Sequence, residues 1–336
     1  MKKLLGPLVL SFICQLSLAQ GISKTDLKFL LQKEDSLKEY AVKIIQGINS
    51  DDRFFADSTF TRMLVRALKI PNSFHYPFDS LETISRLYSP DSTFRIITWQ
   101  LVIPGITGDV VRQHGAIQMR THDGSLKLYP LIDKSDVTTN ITDTIGNNLG
   151  WIGAIYYRII LKRSANQNYY TLLGYDENNI RSNRKIIEVL NFVTGEPIFG
   201  GRLFSYEEDS VFKTSQSRYV MEYKKGAGPR LTYDKELDLI VVEHLISESN
   251  EPKKKWTLVG DGDYEGFKWK NGKWVHVEKI FNYVTPLGQE PVPNPIRNQE
   301  GIIDENKLKG ADLEETEKKP DAKQPAKTKP KGKGNG

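Results

Sequence analysis

Apolar residues recur with two different spacings along this chain, and the change of spacing divides it into a helical part and a β-rich part. Between residues 23 and 48 they follow the i, i+3, i+4, i+7 spacing of an amphipathic helix. Ser23 and Asp26 form an S-x-x-D start signal at its head. A second helical stretch, 57–70, stops at Pro71. We expect an antiparallel pair of helices whose apolar stripes either pack on the following sheet or bind a partner.

From Phe94 onward the spacing becomes two, and β-branched and aromatic residues occur in short runs separated by Gly, Pro, Asn and Asp. Strands are predicted at 94–103, 110–121, 126–132, 152–163, 168–175, 185–193, 197–205, 217–224, 229–234, 238–246, 264–270 and 273–281. Most links have hairpin length, which favours antiparallel pairing of consecutive strands. The predicted fold class is α+β, mostly β: an N-terminal helical pair followed by an extended antiparallel meander. The pattern leaves open whether the sheet closes as a barrel, a sandwich or a partial propeller.

The first residues have the pattern of a secretory signal peptide. Two lysines precede an apolar run over residues 4–18, and a small-x-small cleavage signal ends at Ala19. This run is shorter than the ~20 residues that a membrane-spanning helix needs, and no later segment is apolar for long enough. We therefore expect an exported protein in the periplasm, on the cell surface or in the medium, with no transmembrane segment in the mature chain.

The single cysteine, Cys14, lies inside this leader. A lipidation signal needs a small residue directly before the cysteine, whereas this chain has Ile13 there, which argues against a lipoprotein. Cleavage after Ala19 removes the only thiol. The mature protein is therefore expected to lack disulfides and Cys-ligated metals.

The other end of the chain is rich in proline and lysine. We divide the sequence into a signal peptide at 1–19, a helical segment at 20–90, a β-rich domain at 91–285 and a tail at 286–336 that is predicted to be disordered. Residues 318–336 hold seven lysines and one acid, so without them and the leader lysines the net charge of +5 becomes slightly negative. Because the domain itself is slightly negative, we predict that it does not bind nucleic acid. The tail lysines either contact an anionic polymer or membrane surface, or are simply solvated.

The dipeptide Asn271-Gly272 between two strand segments predicts a two-residue type I′ hairpin. This turn sets the register of the hairpin. On one face it places three opposed pairs: Trp269 with Trp274, Phe267 with His276, and Glu265 with Glu278. The other face carries mostly lysines and is expected to be solvated.

Two directly opposed glutamates repel, so Glu265 and Glu278 need a cation between them, a basic neighbour, or one of the two kept protonated. With His276 they would suit a divalent metal site or an acid/base pair. The aromatic side chains would then be available to bind a sugar ring; these are Trp269, Trp274 and Phe267. In the alternative interpretation, which we favour because aromatic strand faces are usually core, His276 is hydrogen-bonded at the core edge and the glutamates reach water or an arginine.

Sequence motifs of enzymes are missing from the rest of the chain. It contains no His-Glu-x-x-His, no Gly-x-Ser-x-Gly, no phosphate-binding loop and no dinucleotide fingerprint. We therefore predict a non-enzymatic binding or structural module of the cell envelope, with a glycan or an envelope protein as partner. The alternative is an exported hydrolase of glycans that uses Glu265, Glu278 and His276, with a carboxyl separation of about 5 Å for a retaining mechanism.

Five segments of the β-rich part carry a resemblance to known sequences: 170–176, 185–190, 197–200, 264–268 and 271–274. They resemble a family of exported β-rich proteins from Bacteroidetes-type bacteria, and the leader is similar to leaders common there. The resemblance covers roughly residues 80–285. It implies an exported location, and it brings no established activity or catalytic residues.

Overall fold

A computed structural model describes residues 21–105, 108–211 and 213–280. Two helices open this part of the chain, α1 at Lys24–Gln46 and α2 at Ser50–Leu68. The Ser23 hydroxyl accepts a hydrogen bond from the Asp26 amide at 3.0 Å, as its start signal predicts. The second helix begins seven residues before the predicted position because Asn49 caps it through the amide of Asp52. The predicted leader and tail lie outside the described residues.

Fifteen strands follow in the described residues, most of them close to their predicted positions. Their bounds are β1 Ser85–Tyr88, β2 Phe94–Ile103, β3 Val110–Met119, β4 Lys127–Ile132, β5 Gly146–Asn147, β6 Ile155–Ser164, β7 Gln167–Asp176, β8 Ser182–Asn191, β9 Ile198–Phe199, β10 Phe204–Ser205, β11 Arg218–Lys224, β12 Leu231–Asp234, β13 Leu239–Ser247, β14 Leu258–Lys270 and β15 Lys273–Val277. The predicted strand pattern missed the short β1 and β5, and it joined β9 to β10. Short 3-10 helices lie at Ser73–His75 and Lys255–Thr257.

These strands form three sheets. Sheet A has the order β1-β2-β3-β4, sheet B has the order β5-β9-β8-β7-β6 with β11 also paired to β8, and sheet C has the order β10-β15-β14-β13-β12. The paired strands are antiparallel except for β10 and β15, which are parallel. The α+β, mostly β class with antiparallel pairing is therefore confirmed. None of the three sheets closes into a barrel within the described residues.

The helices pack on sheet A and share a core with it. Alternate residues of β2 point in opposite directions, so Ile97, Trp99 and Leu101 join the core beneath the helices. On the other side of the same strand, Phe94 and Ile96 join the core between sheets A and B. The boundary expected near residue 90 thus lies next to a strand that both cores share. Neither helix has the length and apolar composition that a membrane crossing needs, within the described residues.

Sheet B lies in the middle of the structure and is buried on both faces. In β7, Leu172 belongs to the core shared with sheet A, while its neighbour Leu173 belongs to the core shared with sheet C. In β8, Ile186 and Ile187 are divided in the same way. Both strands therefore have nearly continuous runs of buried residues, unlike the strict alternation of a half-buried strand.

A buried ionic network lies in the layer between sheets A and B. The guanidinium of Arg218 and the carboxylate of Glu188 are both fully buried, and their closest atoms, Nη2 and Oε2, are 2.7 Å apart. Arg218 Nη1 also donates to the Thr144 carbonyl at 3.1 Å, and Tyr156 donates its hydroxyl to Glu188. Trp151 in turn donates to the Tyr156 oxygen at 2.7 Å. This network, called the Arg218 network below, attaches the loop before β5 to the central sheet.

Two glycines explain why the predicted strand 197–205 is divided. Gly200 and Gly201 have φ angles of 89° and 142°, a region that side chains with a Cβ rarely adopt. The chain turns there, so that β9 pairs with β8 in sheet B while β10 pairs with β15 in sheet C. A continuous strand was therefore the wrong prediction, and the two glycines carry the chain from one sheet to the next.

The turn between β6 and β7 allows a stability prediction. Ala165 and Asn166 both have positive φ, 47° and 59°, as a type I′ turn requires, although alanine is disfavoured there. We expect the double substitution Ala165→Asn, Asn166→Gly to raise the free energy of unfolding by about 1 kcal/mol. Thermal unfolding measures this change. The matched control, Gly272→Ala in the β14–β15 turn, should lower stability because its φ is 81° and its Cβ would lie 2.8 Å from Ser164 Oγ. An unchanged or lower melting temperature for the double variant would contradict the prediction.

Candidate functional site

The β14–β15 hairpin has the predicted turn and most of the predicted register. Asn271 and Gly272 have φ angles of 49° and 81°, which fits a type I′ turn. Two of the three predicted pairs are confirmed, Trp269 with Trp274 and Phe267 with His276.

The third predicted pair, Glu265 with Glu278, is not formed. The regular ladder ends at the pair of Gly266 and Val277, and beyond it the Ile280 amide donates to the Tyr264 carbonyl at 3.0 Å. Glu278 is exposed and accepts hydrogen bonds from the Ser210 amide at 3.0 Å and hydroxyl at 2.7 Å. Two like charges directly opposite each other repel, and Glu278 instead has donors on a neighbouring loop. The pairing prediction is therefore wrong at this position.

The aromatic side chains of the hairpin belong to the core between sheets B and C. Phe267 and Trp274 are fully buried, and Trp274 Nε1 donates across the layer to Thr171 Oγ1 at 2.8 Å. Trp269 is half-buried, with its ring centroid 5.7 Å from that of Tyr169. Phe267 and Trp274 thus offer no ring face to a sugar.

His276 lies between two carboxylates at the edge of this core. Only 2% of its surface is exposed, Nδ1 lies 2.8 Å from Asp209 Oδ1, and Nε2 lies 3.4 Å from Glu265 Oε2. Burial lowers the pKa of His276, but the hydrogen bonds and charges of Glu265 and Asp209 outweigh it, so its pKa is raised. Burial alone would raise the pKa of Glu265, but the hydrogen bond and charge of His276 outweigh burial, so the pKa of Glu265 is lowered. The two carboxylates therefore favour the charged form of His276.

Asp209 extends this arrangement to a fourth charged group. Its side chain is fully buried, and Oδ2 lies 3.3 Å from Lys213 Nζ. With His276 protonated, charges of alternating sign follow one another in the order Lys213, Asp209, His276 and Glu265, which we call the charge chain. Sequence reasoning missed Asp209 because it lies in a polar loop after β10, 67 positions from His276, with no spacing signal between them.

The last member of the charge chain, Glu265, lines a cleft between sheets B and C. This inter-sheet cleft has a volume of about 570 Å³. The side chain of Glu265 is 20% exposed, and Tyr219 donates its hydroxyl to Glu265 Oε1 at 3.2 Å. Seven charged or titratable side chains line the cleft: Arg184, Tyr219, Glu222, Glu243, His244, Lys255 and Glu265.

Most of these side chains are fixed by partners. Arg184 Nε donates to Glu222 Oε2 at 3.1 Å, and the Arg230 amide donates to Glu243 at 2.6 Å. His244 Nδ1 lies 2.7 Å from Asp261. The cleft therefore presents both donors and acceptors in a preformed arrangement, which suits recognition of a polar ligand.

The part of the chain that the structure describes contains no group of three or more His, Cys, Asp or Glu side chains placed to hold a metal ion. The predicted metal role of Glu265 and Glu278 would have required their pairing, which is not formed.

Comparison of the chain with family models, curated proteins and solved structures finds no match. The resemblance to exported proteins of Bacteroidetes-type bacteria stays a prediction.

Proposed function

We propose that this chain is an exported cell-envelope protein that acts as a non-enzymatic binding module, with the inter-sheet cleft as its ligand site. The leader pattern of residues 1–19 supports export. The cleft supports binding, because its volume of about 570 Å³ lies within the ordinary range for ligand sites and its charged walls are already held by partners.

The state of His276 supports a role other than catalysis. A general base must be unprotonated and within reach of the proton that it removes. Both ring nitrogens of His276 face carboxylates, its pKa is raised, and almost none of its surface is exposed. The charge chain therefore stabilises the wall of the cleft and leaves Glu265 as a fixed acceptor.

The ligand class that we propose is a neutral, hydroxyl-rich molecule such as an envelope glycan. Three carboxylates alternate with Arg184, Lys255 and hydroxyl or amide side chains around the cleft, so no single sign of charge dominates it. An envelope protein would be bound through an inserted polar segment in the same place.

Ligand-induced thermal stabilisation tests this proposal. Full-length mature protein is scanned with envelope oligosaccharides, and a ligand at 100 times its dissociation constant should add about 2.7 kcal/mol to the free energy of unfolding. We expect the substitution His244→Ala to reduce this stabilisation, because His244 lines the cleft and is exposed enough to be removed without disturbing the core. The matched control, His122→Ala, removes an exposed histidine that does not line the cleft, and it should retain the effect. Equal loss or equal retention in both variants would contradict the assignment of the cleft.

The hydrolase alternative has one supporting observation, the partly exposed carboxylate of Glu265 in the cleft. It predicts turnover of the stabilising oligosaccharide and loss of that turnover in Glu265→Gln. Stabilisation without any release of reducing ends would exclude it.

A further inference from the structure

We propose that a basic and aromatic surface beside the inter-sheet cleft docks the protein on an anionic lipid bilayer. Three chain segments form this surface, which we call the basic-aromatic patch: residues 180–181, 224–225 and 253–256. The segments are connected, because the Lys225 amide donates to the Arg181 carbonyl at 2.8 Å and the guanidinium carbon of Arg181 lies 5.5 Å from the ring centroid of Trp256.

The charge of the patch is the first argument. It holds six basic side chains, Arg181, Lys224, Lys225, Lys253, Lys254 and Lys255. Three acids pair with it, Glu177 with Lys225, Glu248 with Lys224, and Glu251 with Lys254. Lys253 and Lys255 are exposed and have no ion-pair partner among the described residues. An excess of positive charge on one surface attracts anionic headgroups, and each lysine near the membrane strengthens binding by about fivefold.

The apolar side chains of the patch are the second argument, and they favour a bilayer over a soluble anionic polymer. Trp256 is 41% exposed, although tryptophan is costly to leave in water, and Ile180 is 49% exposed. Trp256 directly follows three exposed lysines, so an amphipathic ring and cationic side chains leave adjacent positions of the backbone. Tryptophan is enriched at membrane interfaces for this reason, and lysine stems extend toward the headgroups beside it.

The position of the patch relates it to the proposed ligand site. Lys255 belongs to the patch and also lines the inter-sheet cleft. Docking through the patch would therefore hold the mouth of the cleft close to the lipid surface. The inference does not depend on the identity of the cleft ligand, and His244→Ala should leave membrane binding unchanged.

Quenching of Trp256 by brominated lipid tests the proposal in the full mature chain. The chain has five tryptophans; Trp99, Trp151 and Trp274 are buried and Trp269 is half-buried, so Trp256 is the one exposed indole. We expect quenching with vesicles of brominated phosphatidylcholine and phosphatidylglycerol, and loss of that quenching in Trp256→Phe. Vesicle binding without quenching of Trp256 would show attachment through the lysine-rich C-terminal sequence alone and would overturn the proposal.

A second pair of variants tests the charges. Lys253→Ala with Lys255→Ala should weaken binding to these vesicles by about tenfold or more. The matched control, Lys127→Ala with Lys134→Ala, removes two exposed lysines of other segments and should have a much smaller effect. All four lysines are exposed, so thermal unfolding should be unchanged in both variants. Equal weakening of vesicle binding by the two pairs of substitutions would overturn the proposal. It would also be overturned if a soluble anionic polysaccharide displaced the wild type and all variants from the vesicles to the same extent.

Discussion

Replacing Arg218 with methionine is expected to lower the free energy of unfolding by about 3 to 5 kcal/mol. The substitution leaves the fully buried carboxylate of Glu188 without its counter-ion and removes the donor to the Thr144 carbonyl. Chemical denaturation of the single variant measures this loss.

Two further variants separate the lost ion pair from lost packing. The double variant Arg218→Met, Glu188→Gln removes the buried charge while leaving an acceptor for Tyr156, so it should recover part of the loss. The control Lys224→Met breaks an ion pair whose side chains are about half exposed and should cost less than about 1 kcal/mol. If Arg218→Met cost no more than Lys224→Met, the Arg218 network would not have the stabilising role that its burial indicates.

Replacing His276 with glutamine should lower the free energy of unfolding by about 3 kcal/mol near pH 6, and it should change the pH dependence of stability. The pKa of His276 is raised in the folded protein above its ordinary value of 6.5. Its stabilising contribution is therefore fully present below about pH 6.5 and is lost as the pH rises through the higher folded value. We expect the difference in free energy of unfolding between the wild type and His276→Gln to shrink across that interval.

The pH profile of the wild type must be compared with that of His276→Gln, because His75 changes stability with pH in the opposite direction. Burial, with the nearby charges of Arg120 and Arg95, lowers the pKa of His75, so its contribution rises with pH over its own range. A subtraction of the two pH profiles removes this background. A difference that stays constant from pH 6 to alkaline pH, or grows, would show that Asp209 and Glu265 do not hold His276 in its charged form.

The alternation of apolar residues predicted the strands well because the fold keeps most of them in consecutive antiparallel pairs. The bounds of β2 agree with the prediction at both ends. The separation of β9 from β10 was not predictable from propensity, since it depends on which sheet each end pairs with across Gly200 and Gly201. The stacking of the three sheets could not be predicted from the sequence either. A strand that is buried on both faces shows no alternation of apolar and polar residues from which its neighbours could be inferred.

The candidate site was only partly predictable for a related reason. The turn residues Asn271 and Gly272 determine local register, so Phe267 and His276 were correctly paired. Asp209 reaches His276 from a distant loop, and no local pattern records such a contact. Glu278 lies one step beyond the regular ladder, where the register changes and Ser210 offers it two donors.

The position of sheet B between two others has a consequence for how the chain is assembled during synthesis. Leu173, Ile187 and Val189 are buried beneath residues of β14 and β15, which the ribosome delivers some seventy or more positions later. Until the last hairpin arrives, this apolar surface has no cover, and exposed strand surfaces of this kind are prone to aggregation. A chaperone that recognises extended apolar segments would therefore have the longest time to bind this face of sheet B. That interval begins when β8 has emerged and ends when Trp274 contacts Thr171.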